Sequence, residues 1–590
     1  MQNNTPETKP SLSILLLNLI FFSIFLSTLL ITSLFRSWMH NAFTNLSYYI
    51  ILGLTATWAA SLINLYRYKQ SNAFAFIRRH WKGILASFLL TTVVFVSVPK
   101  YFRVLSDETN LLSVAKSMTY DKHVDNITEG RWYYEMFWPT PTTGLEKRPF
   151  LFPFFTSLVH TLLGYHVENV FILNYFALWA MLFLLYMVVQ TSLGDLWALS
   201  GIILVMAQPF ISLSATSGSY EIFNFLFIMA SFLALRCFLK DTSHKTFIPL
   251  VLTLIMLANV RYESIIFLVV TISIISIAGY VKPKFFLQSF SYGLASLFLL
   301  PWIWQRILLA SEADPNLVKG SWIYSFGLGN VQHNITPFFK YILQTSGQLG
   351  YAGVVNIVGI LAIVGLVVLV SLRASASVRK EDRAKRSNLF KNELVLLICS
   401  ATSLVLLFVI VISYHYDDHP LNGRFYIPVL IPISIAPVYF FAQVLKDKQK
   451  AAVAVLIGSL IAFAFYHPIA VEDRLSNTLM IIREYRYVDA FLKKNADKNA
   501  LIICGRPGQL IVSNYGAISY STANRQVDMI LEQFKNHLYS KIYVIQSIAY
   551  ASKAPLNDNV INPRYQLDTV DQLQITGGYF FRISQVKAPE

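Results

Sequence analysis

Apolar blocks of about 20 residues recur along the chain as far as residue 469, and this repetition constrains the fold more than any other feature. A helix that crosses a bilayer needs about 20 mostly apolar residues. Only 14% of the 590 residues are charged, whereas a soluble domain has about 25%. The sequence therefore predicts a polytopic α-helical membrane protein. It excludes a disordered chain, a collagen-like fibre, a disulfide-stapled secreted module and a cytosolic enzyme.

Thirteen of these blocks are predicted to span the membrane. They lie at approximately 11–35, 47–65, 83–99, 169–190, 196–214, 222–239, 246–260, 264–281, 285–309, 352–372, 394–413, 425–444 and 451–469. The first block is long and lacks a small-residue cleavage site, so we expect an anchor and not a removed signal peptide. A fourteenth block, 150–164, is too short to span and contains Pro153. It is predicted to lie in the outer interface.

The distribution of charge predicts the orientation. The net charge of +16 arises from 48 Lys and Arg against 32 Asp and Glu. The basic residues collect in short loops at 67–82, 373–391 and 446–450, a bias typical of cytoplasmic loops. With thirteen spans these loops share the cytoplasmic side with the N-terminus, and the C-terminus lies outside. We therefore expect an integral membrane protein with a periplasmic or extracellular C-terminal domain. The implied partners are membrane lipids and not nucleic acid.

Two regions follow from this topology. Residues 1–469 form a transmembrane domain with large outer loops at 100–149 and 310–350. Residues 470–590 are polar enough to form a small α/β domain on the same outer side. In that domain, helices are predicted near 472–496 and 523–538, and strands at 500–504, 541–545 and in a final pair ending at 578–586. The cysteines have neither disulfide nor metal-ligand spacing; they are Cys237, Cys399 and Cys504.

Acidic residues at the outer ends of helices are the first candidates for chemistry. Asp107 and Glu108 follow the third span, and carboxylates beside a bilayer tend to be functional because they are costly there. A competing interpretation is that Ser106 or Asp107 only caps the helix that continues to Tyr120. Glu221 begins a later span.

Basic residues at the same level are candidates to bind a phosphate. Lys147 and Arg148 precede Pro149 and the interfacial block, where they hold a lipid phosphate or only snorkel to the interface. Arg424 begins a late span, where its fork-shaped guanidinium suits a phosphate at headgroup height. Arg261 stands two residues before Glu263, and the simplest interpretation is that the two side chains form an ion pair with each other.

A cluster of four residues before the twelfth span has the ligand types of a divalent metal site. Its spacing matches no established motif, so metal dependence stays open. The four are His415, Asp417, Asp418 and His419.

The order of these features resembles the GT-C superfamily of integral membrane glycosyltransferases. The branch most similar contains the protein O-mannosyltransferases and the bacterial lipid A aminoarabinose transferases. The resemblance covers about residues 80–445. Its motifs are Asp107-Glu108, then 148–153 followed by 162–164, Glu221, Arg261-Tyr262-Glu263, and Arg424-Phe425-Tyr426 with Pro428. The family often has Lys-Pro-Pro where Lys147-Arg148-Pro149 stands, and an aspartate in place of Glu221.

The resemblance implies a sugar donor linked to a polyprenyl phosphate or diphosphate. Asp107 would then be the general base, and Glu108 and Glu221 would orient the base or the acceptor. The implied donor-binding residues are Lys147, Arg148, Arg261, Tyr262, Glu263 and Arg424. Because the leaving phosphate is a weak base, one carboxylate suffices, unlike the carboxyl pair of glycosidases.

The predicted function is therefore an inverting glycosyltransferase that acts on an acceptor hydroxyl at the outer face of the membrane. The acceptor is a lipid, a glycan or a protein. A multispan transporter or lipid flippase is the main alternative, but the predicted spans are nearly free of mid-membrane charge. A glycan ligase or polymerase that uses a lipid-diphosphate donor is a second alternative.

Overall fold

The computed structural model describes most of the chain. The described residues are 12–69, 72–140, 145–312, 327–344, 351–376, 383–414, 420–445, 447–473, 476–477, 479–556, 559–574 and 578–587. The loop 310–350 and the candidate metal residues His415, Asp417, Asp418 and His419 lie partly or wholly outside them.

The first four fifths of the chain are mainly helical. The helices are α1 (Leu12–Leu34), α2 (Arg36–Tyr68), α3 (Ala73–Ser97), α4 (Leu105–Tyr120), α5 (Leu151–Leu163), α6 (Asn169–Leu193), α7 (Asp195–Met206), α8 (Pro209–Ala215), α9 (Glu221–Lys240), α10 (His244–Ala258), α11 (Ile265–Ile277), α12 (Ser291–Leu297), α13 (Leu300–Glu312), α14 (Leu328–Ile342), α15 (Gly353–Ala376), α16 (Arg383–Ser413), α17 (Ile427–Val444) and α18 (Lys448–Glu472). Short 3-10 helices at Tyr262–Ser264, Pro283–Leu287 and Pro420–Tyr426 join some of them.

The apolar helices confirm the predicted polytopic architecture. Within the described residues, ten helices are long and apolar enough to cross a membrane, and the bent pair α7 and α8 adds an eleventh. The shorter apolar helices His244–Ala258 and Tyr262–Ile277 fall on the two remaining predicted blocks. Every block assigned to a span from the sequence is thus helical. The block at 150–164 is the separate short helix α5, 13 residues long.

One predicted span is broken. The sequence predicts a single helix at 196–214, but α7 and α8 meet at an angle of 75°. Pro209 stands at the first turn of α8, where its missing N–H costs nothing, whereas inside a continuous helix it would remove a hydrogen bond. The bend brings the segment after α8, with Ser217 and Ser219, back against the start of α4.

The C-terminal region confirms the predicted α/β domain and adds elements to it. They are α19 (Met480–Asn495), β3 (Leu501–Ile503), α20 (Gly508–Ile511), β4 (Gly516–Ile518), α21 (Tyr520–Arg525), α22 (Val527–Lys535), β5 (Ile542–Ala549), β6 (Leu567–Gln574) and β7 (Tyr579–Val586). The helix predicted at 523–538 is two helices, and β4 has no counterpart in the prediction.

The outer loop 100–149 contributes two strands to the same sheet. Strands β1 (Gly130–Tyr133) and β2 (Met136–Pro139) form a hairpin, and the seven-stranded order is β2-β1-β4-β3-β5-β7-β6. Strands β4, β3 and β5 are parallel, and the flanking pairs are antiparallel. A Cβ on Gly130 would lie 2.2 Å from the ring of Phe137, so any larger residue there would displace this ring. The boundary at 469/470 stays a prediction, since the sheet draws on both regions.

Two buried basic side chains fasten α4 and the loop before it. The amine of Lys116, on α4, donates to the carbonyl of Ile511 at 3.0 Å and to Asn514 Oδ1 at 2.9 Å. Arg103 pairs at 2.9 Å with Asp473, the C-cap residue of α18. The first contact holds the middle of α4 against the sheet domain, and the second holds the loop before α4 against the end of α18.

Candidate active site

Glu108 holds the start of α4. Its carboxylate accepts hydrogen bonds from the backbone N–H groups of Arg103 and Val104, both at 3.1 Å, and of Gly218 at 2.9 Å. Helix starts leave N–H groups without partners, and a carboxylate that reaches back satisfies them. Burial raises the pKa of Glu108 to about 7. Glu108 therefore acts as the cap of this helix, and the orienting role expected from the sequence stays a prediction.

Asp107 occupies the position between two arginines from distant parts of the chain. Its Oδ1 accepts a hydrogen bond from Arg148, and its Oδ2 accepts one from Arg424. Burial alone would raise the pKa of Asp107, but the positive charges and hydrogen bonds of the two guanidinium groups bring that pKa below its usual value. The interpretation of Asp107 as a side-chain N-cap is wrong, because Val104 is the N-cap residue of α4 and the cap has no side-chain hydrogen bond.

The segment after the outer loop is fixed by its own contacts. Arg148 pairs with the buried carboxylate of Glu146 at 2.6 Å. Gln305, on α13, donates to the carbonyls of Glu146 at 2.7 Å and of Arg148 at 2.8 Å. Lys147 is exposed, and its carbonyl accepts a hydrogen bond from Arg306. Of the two predicted cations, the structure thus brings Arg148 to Asp107 and turns Lys147 away.

Arg424 also faces Glu221. The Nε of Arg424 lies 3.5 Å from Glu221 Oε1. The side chain of Glu221 is 2% exposed, and neither carboxylate oxygen has a hydrogen-bond partner within the described residues. Buried polar atoms nearly always have a partner, and Arg424 is the one charged group that the described residues place within ion-pair distance of this carboxylate. A Cβ on the neighbouring Gly423 would collide with the hydroxyl of Tyr351, and glycine lets this segment approach closely.

Arg261 and Glu263 form an ion pair beside this cluster, as their spacing suggested. The guanidinium of Arg261 lies over the rings of Tyr220, at 5.4 Å, and Phe425, at 5.0 Å. Arg424 lies over the same ring of Phe425 at 4.9 Å. Cation–π contacts of this kind hold guanidinium groups in fixed orientations. The structure therefore places the pair next to the Asp107 cluster without placing it in contact with Asp107.

Tyr262 stands further out, under the guanidinium of Arg306 at 4.9 Å. The predicted metal residues His415, Asp417, Asp418 and His419 lie outside the described residues. In the part of the chain that is described, no group of three or more His, Cys, Asp and Glu side chains is arranged to hold a metal ion.

Several residues of the cluster were missed from the sequence. Glu146 and Gln305 position Arg148, and Arg103 with Asp473 positions the loop before α4. Asp473 also accepts a hydrogen bond from the hydroxyl of Tyr101, and Arg103 donates to the carbonyl of Leu213 at 2.7 Å. Glu146 was visible as an acid two residues before Arg148. The pair of Arg103 and Asp473, 370 residues apart, carries no local signal.

Comparison with known proteins gives matches among solved structures. No family model and no curated protein matches the chain. Among solved structures, ArnT from Cupriavidus metallidurans, bound to undecaprenyl phosphate, matches with a TM-score of 0.48 and 10% identity over 87% of this chain and 98% of that chain. The oligosaccharyltransferase of Archaeoglobus fulgidus matches with a TM-score of 0.44 and 9% identity, over 78% of this chain and 67% of that chain.

Both proteins are GT-C glycosyltransferases. With TM-scores below 0.5 and identities near 10%, neither match carries the argument for function. That argument rests on the residues around Asp107.

Proposed function

We propose that this protein is an inverting glycosyltransferase that moves a sugar from a polyprenyl-phosphate donor to an acceptor hydroxyl. The observation that carries the proposal is the position of Asp107 between the guanidinium groups of Arg148 and Arg424. A donor of this type needs two things from a protein. It needs cations for the leaving phosphate and a carboxylate for the proton of the acceptor.

The two arginines are suited to the phosphate. Guanidinium groups recognise phosphate oxygens through parallel N–H donors. Arg148 and Arg424 come from separate segments, so they can grip a phosphate from two sides. An incoming phosphate competes with Asp107 for these donors, and it therefore binds by replacing the carboxylate on at least one of them.

That replacement prepares the base. In the isolated chain the arginines keep the pKa of Asp107 low, and a carboxylate held in this way is a poor proton acceptor. Once the phosphate takes over the guanidinium groups, the carboxylate of Asp107 is released and its proton affinity rises. The site then deprotonates an acceptor only when a donor is bound.

The transfer itself needs no further group. The acceptor oxygen attacks the anomeric carbon, its proton passes to Asp107, and the bond from that carbon to the phosphate oxygen breaks. The phosphate leaves with the bonding electrons, and Arg148 and Arg424 stabilise the charge that develops. Attack opposite the leaving phosphate inverts the anomeric configuration. The buried carboxylate of Glu221, which has no hydrogen-bond partner within the described residues, accepts a hydrogen bond from a hydroxyl of the acceptor or of the sugar.

The setting is the outer surface of the bacterial inner membrane, with the N-terminus in the cytoplasm. The outer loop 100–149 and the residues from 470 to 590 lie on the side of the reaction, consistent with the bias of Lys and Arg. The donor brings an apolar chain that stays in the bilayer, and the acceptor is a lipid, a glycan or a protein hydroxyl.

The test is sugar transfer by the purified full-length protein. Undecaprenyl phosphate carrying a radiolabelled hexose, N-acetylhexosamine or aminopentose is offered with a lipid and glycan extract as acceptor. We expect release of undecaprenyl phosphate with at least one donor. Asp107→Asn should lower the rate at least about 100-fold, the lower end of general-base effects. Asp121→Asn, an exposed aspartate directly after the same helix, is the matched control.

Two outcomes contradict the proposal. A protein that releases no undecaprenyl phosphate, but moves lipid or glycan between the leaflets of a vesicle, is a transporter. Transfer at the wild-type rate by Asp107→Asn removes Asp107 from the reaction. Cysteine labelling that places residues 385 and 580 on one side of the membrane contradicts the topology.

A further inference from the structure

A cavity of about 360 Å³ lies in the sheet domain, apart from the Asp107 cluster. Sites for small molecules usually enclose about 300–1,000 Å³, so the volume is sufficient for a ligand. One wall is the face of α19 with Ile481, Glu484, Tyr485 and Val488. The floor is the segment after β3, residues 504–506, with Gln509 beside it.

The position of the cavity in the sheet is the one that open parallel sheets use for ligands. From β3 the chain passes to β4 on one side, and from β5 it passes to β6 and β7 on the other. Such sheets bind ligands outside the carboxyl ends of the strands, where the connections diverge. Strand β5 continues beyond the end of β3, and its Ile545 and Ser547 form the opposite wall with Tyr579 and Phe581 of β7.

Several polar groups on the walls are held in place by hydrogen bonds. The carboxylate of Glu484 accepts a hydrogen bond from Tyr579 at 2.8 Å. Asn559 Oδ1 accepts a hydrogen bond from the backbone N–H of Ser547 at 3.4 Å. It also lies 2.9 Å from the hydroxyl of Tyr520, which shares its single proton between this oxygen and the carbonyl of Ile545. A second carboxylate oxygen of Glu484 and the NH₂ group of Asn559 remain for a ligand, because each side chain has more sites than these bonds use.

Three further side chains of the cavity have open capacity. Within the described residues, no group hydrogen-bonds to the side chain of Arg506, Gln509 or Ser547, and no ion pair joins Arg506 to Glu484. The cavity thus presents a guanidinium, a carboxylate, two amides and a hydroxyl between the rings of Tyr485, Tyr579 and Phe581.

From this combination we infer that the cavity is a saccharide-binding site that takes one neutral sugar residue. A sugar ring has an apolar C–H face, which packs on aromatic rings, and a rim of hydroxyls, each of which both donates and accepts. Planar amide, carboxylate and guanidinium groups match such a rim. A phosphate or nucleotide would require an excess of cations, whereas here Glu484 balances Arg506.

The cavity lies near the Asp107 cluster without belonging to it. Tyr485 lines the cavity, and its ring lies 6.3 Å from that of Phe102. Phe102 directly precedes Arg103, whose N–H donates to Glu108. One aromatic contact thus separates the cavity from the loop that precedes α4. The inference concerns binding alone and does not depend on the reaction proposed for Asp107.

Saturation-transfer NMR on the full-length protein tests the inference. The protein is placed in lipid nanodiscs, because maltoside detergents would themselves offer sugars. The probes are the methyl glycosides of glucose, galactose, mannose and N-acetylglucosamine. We expect saturation transfer to at least one of them. The double variant Arg506→Ala/Gln509→Ala should reduce the signal at least five-fold. Arg525→Ala/Gln566→Ala, exposed residues of the same domain outside the cavity, should leave it unchanged.

Further variants separate this site from the Asp107 cluster. Asp107→Asn should keep the signal, and Glu484→Gln, which retains the contact with Tyr579, should reduce it without unfolding the domain. The inference is overturned if no methyl glycoside receives saturation, or if Arg506→Ala/Gln509→Ala keeps the full signal. It is also overturned if glucose 1-phosphate alone responds, since the ligand is then recognised by its phosphate.

Discussion

The guanidinium of Arg424 donates a hydrogen bond to Oδ2 of Asp107, 317 residues earlier in the chain. The contact closes the cluster, because Arg148 already occupies the other oxygen of the same carboxylate. In the proposed reaction the guanidinium of Arg424 is shared between this carboxylate and the incoming phosphate. Replacing Arg424 should therefore change the affinity for the phosphate.

Arg424→Lys should weaken donor binding although it keeps the charge. Lysine is a point charge without the planar pair of donors, and a hydrogen bond to a charged group contributes about 1.5–3 kcal/mol. We expect the dissociation constant for undecaprenyl phosphate to rise roughly 10-fold or more, and further in Arg424→Ala. Calorimetry in nanodiscs measures it, with Arg525→Lys as the control. If wild type, Arg424→Lys, Arg424→Ala and Arg525→Lys all bind undecaprenyl phosphate with equal affinity, Arg424 is only an interfacial anchor.

Glu221→Gln should separate function from stability. The two buried carboxylate oxygens of Glu221 have no hydrogen-bond partner in the described residues, and the ion pair with Arg424 is long, at 3.5 Å. Because Arg424 keeps Asp107 as its partner, neutralising Glu221 leaves no unpaired charge and removes a desolvated one. We expect the melting temperature to stay equal or to rise, while the rate of transfer falls and donor binding changes little. A functional site often has this trade-off. If Glu221→Gln lowers the melting temperature and leaves transfer intact, Glu221 is a structural partner of Arg424.

The residues of this cluster also show which features could be predicted from the sequence. Arg148, Glu221 and Arg424 were expected at one site because they lie at the outer face and match motifs of the family that the sequence resembles. In the structure Arg148 and Arg424 contact Asp107, and Glu221 lies beside Arg424. The thirteen helical blocks could likewise be predicted, since a membrane requires long apolar segments. Both results depend on patterns that are local in the chain.

Strand pairings and contacts between distant segments of the chain could not be predicted from the sequence. The hairpin of β1 and β2 has strands of four residues each, and β1 meets β4 through Gly130 and Ala517. Nothing in either segment encodes the other. Glu108 illustrates a different limit. Its position beside Asp107 suggested a role in chemistry, but its carboxylate accepts hydrogen bonds from three backbone N–H groups. One of the three belongs to Gly218, which only the bend between α7 and α8 brings near.

Glu108 should make stability depend on pH. Its pKa in the folded protein is about 7, against an ordinary value of 4.5, because burial disfavours the charged form. Between these values the folded state binds more protons than the unfolded state, so stability falls as the pH rises from about 4.5 to about 7. In Glu108→Gln this component is absent. Melting temperatures measured by tryptophan fluorescence between pH 4 and 8 should show the decline in wild type and a flatter profile in the variant. Parallel profiles would contradict the assignment of this pKa to Glu108.

The final prediction concerns the buried pair of Arg103 and Asp473, whose side chains are 3% and 1% exposed. Removing one partner of such a pair leaves an uncompensated buried charge, at a cost of about 3–5 kcal/mol. Asp473→Ala should therefore lower the melting temperature clearly. Replacing both partners by apolar residues, in Arg103→Met/Asp473→Leu, should recover much of that loss, because no buried charge then remains.

The exposed pair of Arg564 and Asp528, 57% and 80% exposed, is the matched control. Exposed pairs contribute about 0–1 kcal/mol, so Asp528→Ala should change the melting temperature little. Arg103 also holds the loop whose N–H groups cap α4 through Glu108. The double variant should consequently regain stability without regaining full transfer activity, since the start of α4 positions Asp107. Equal recovery of stability and transfer would show that the pair stabilises the fold but does not position the cluster.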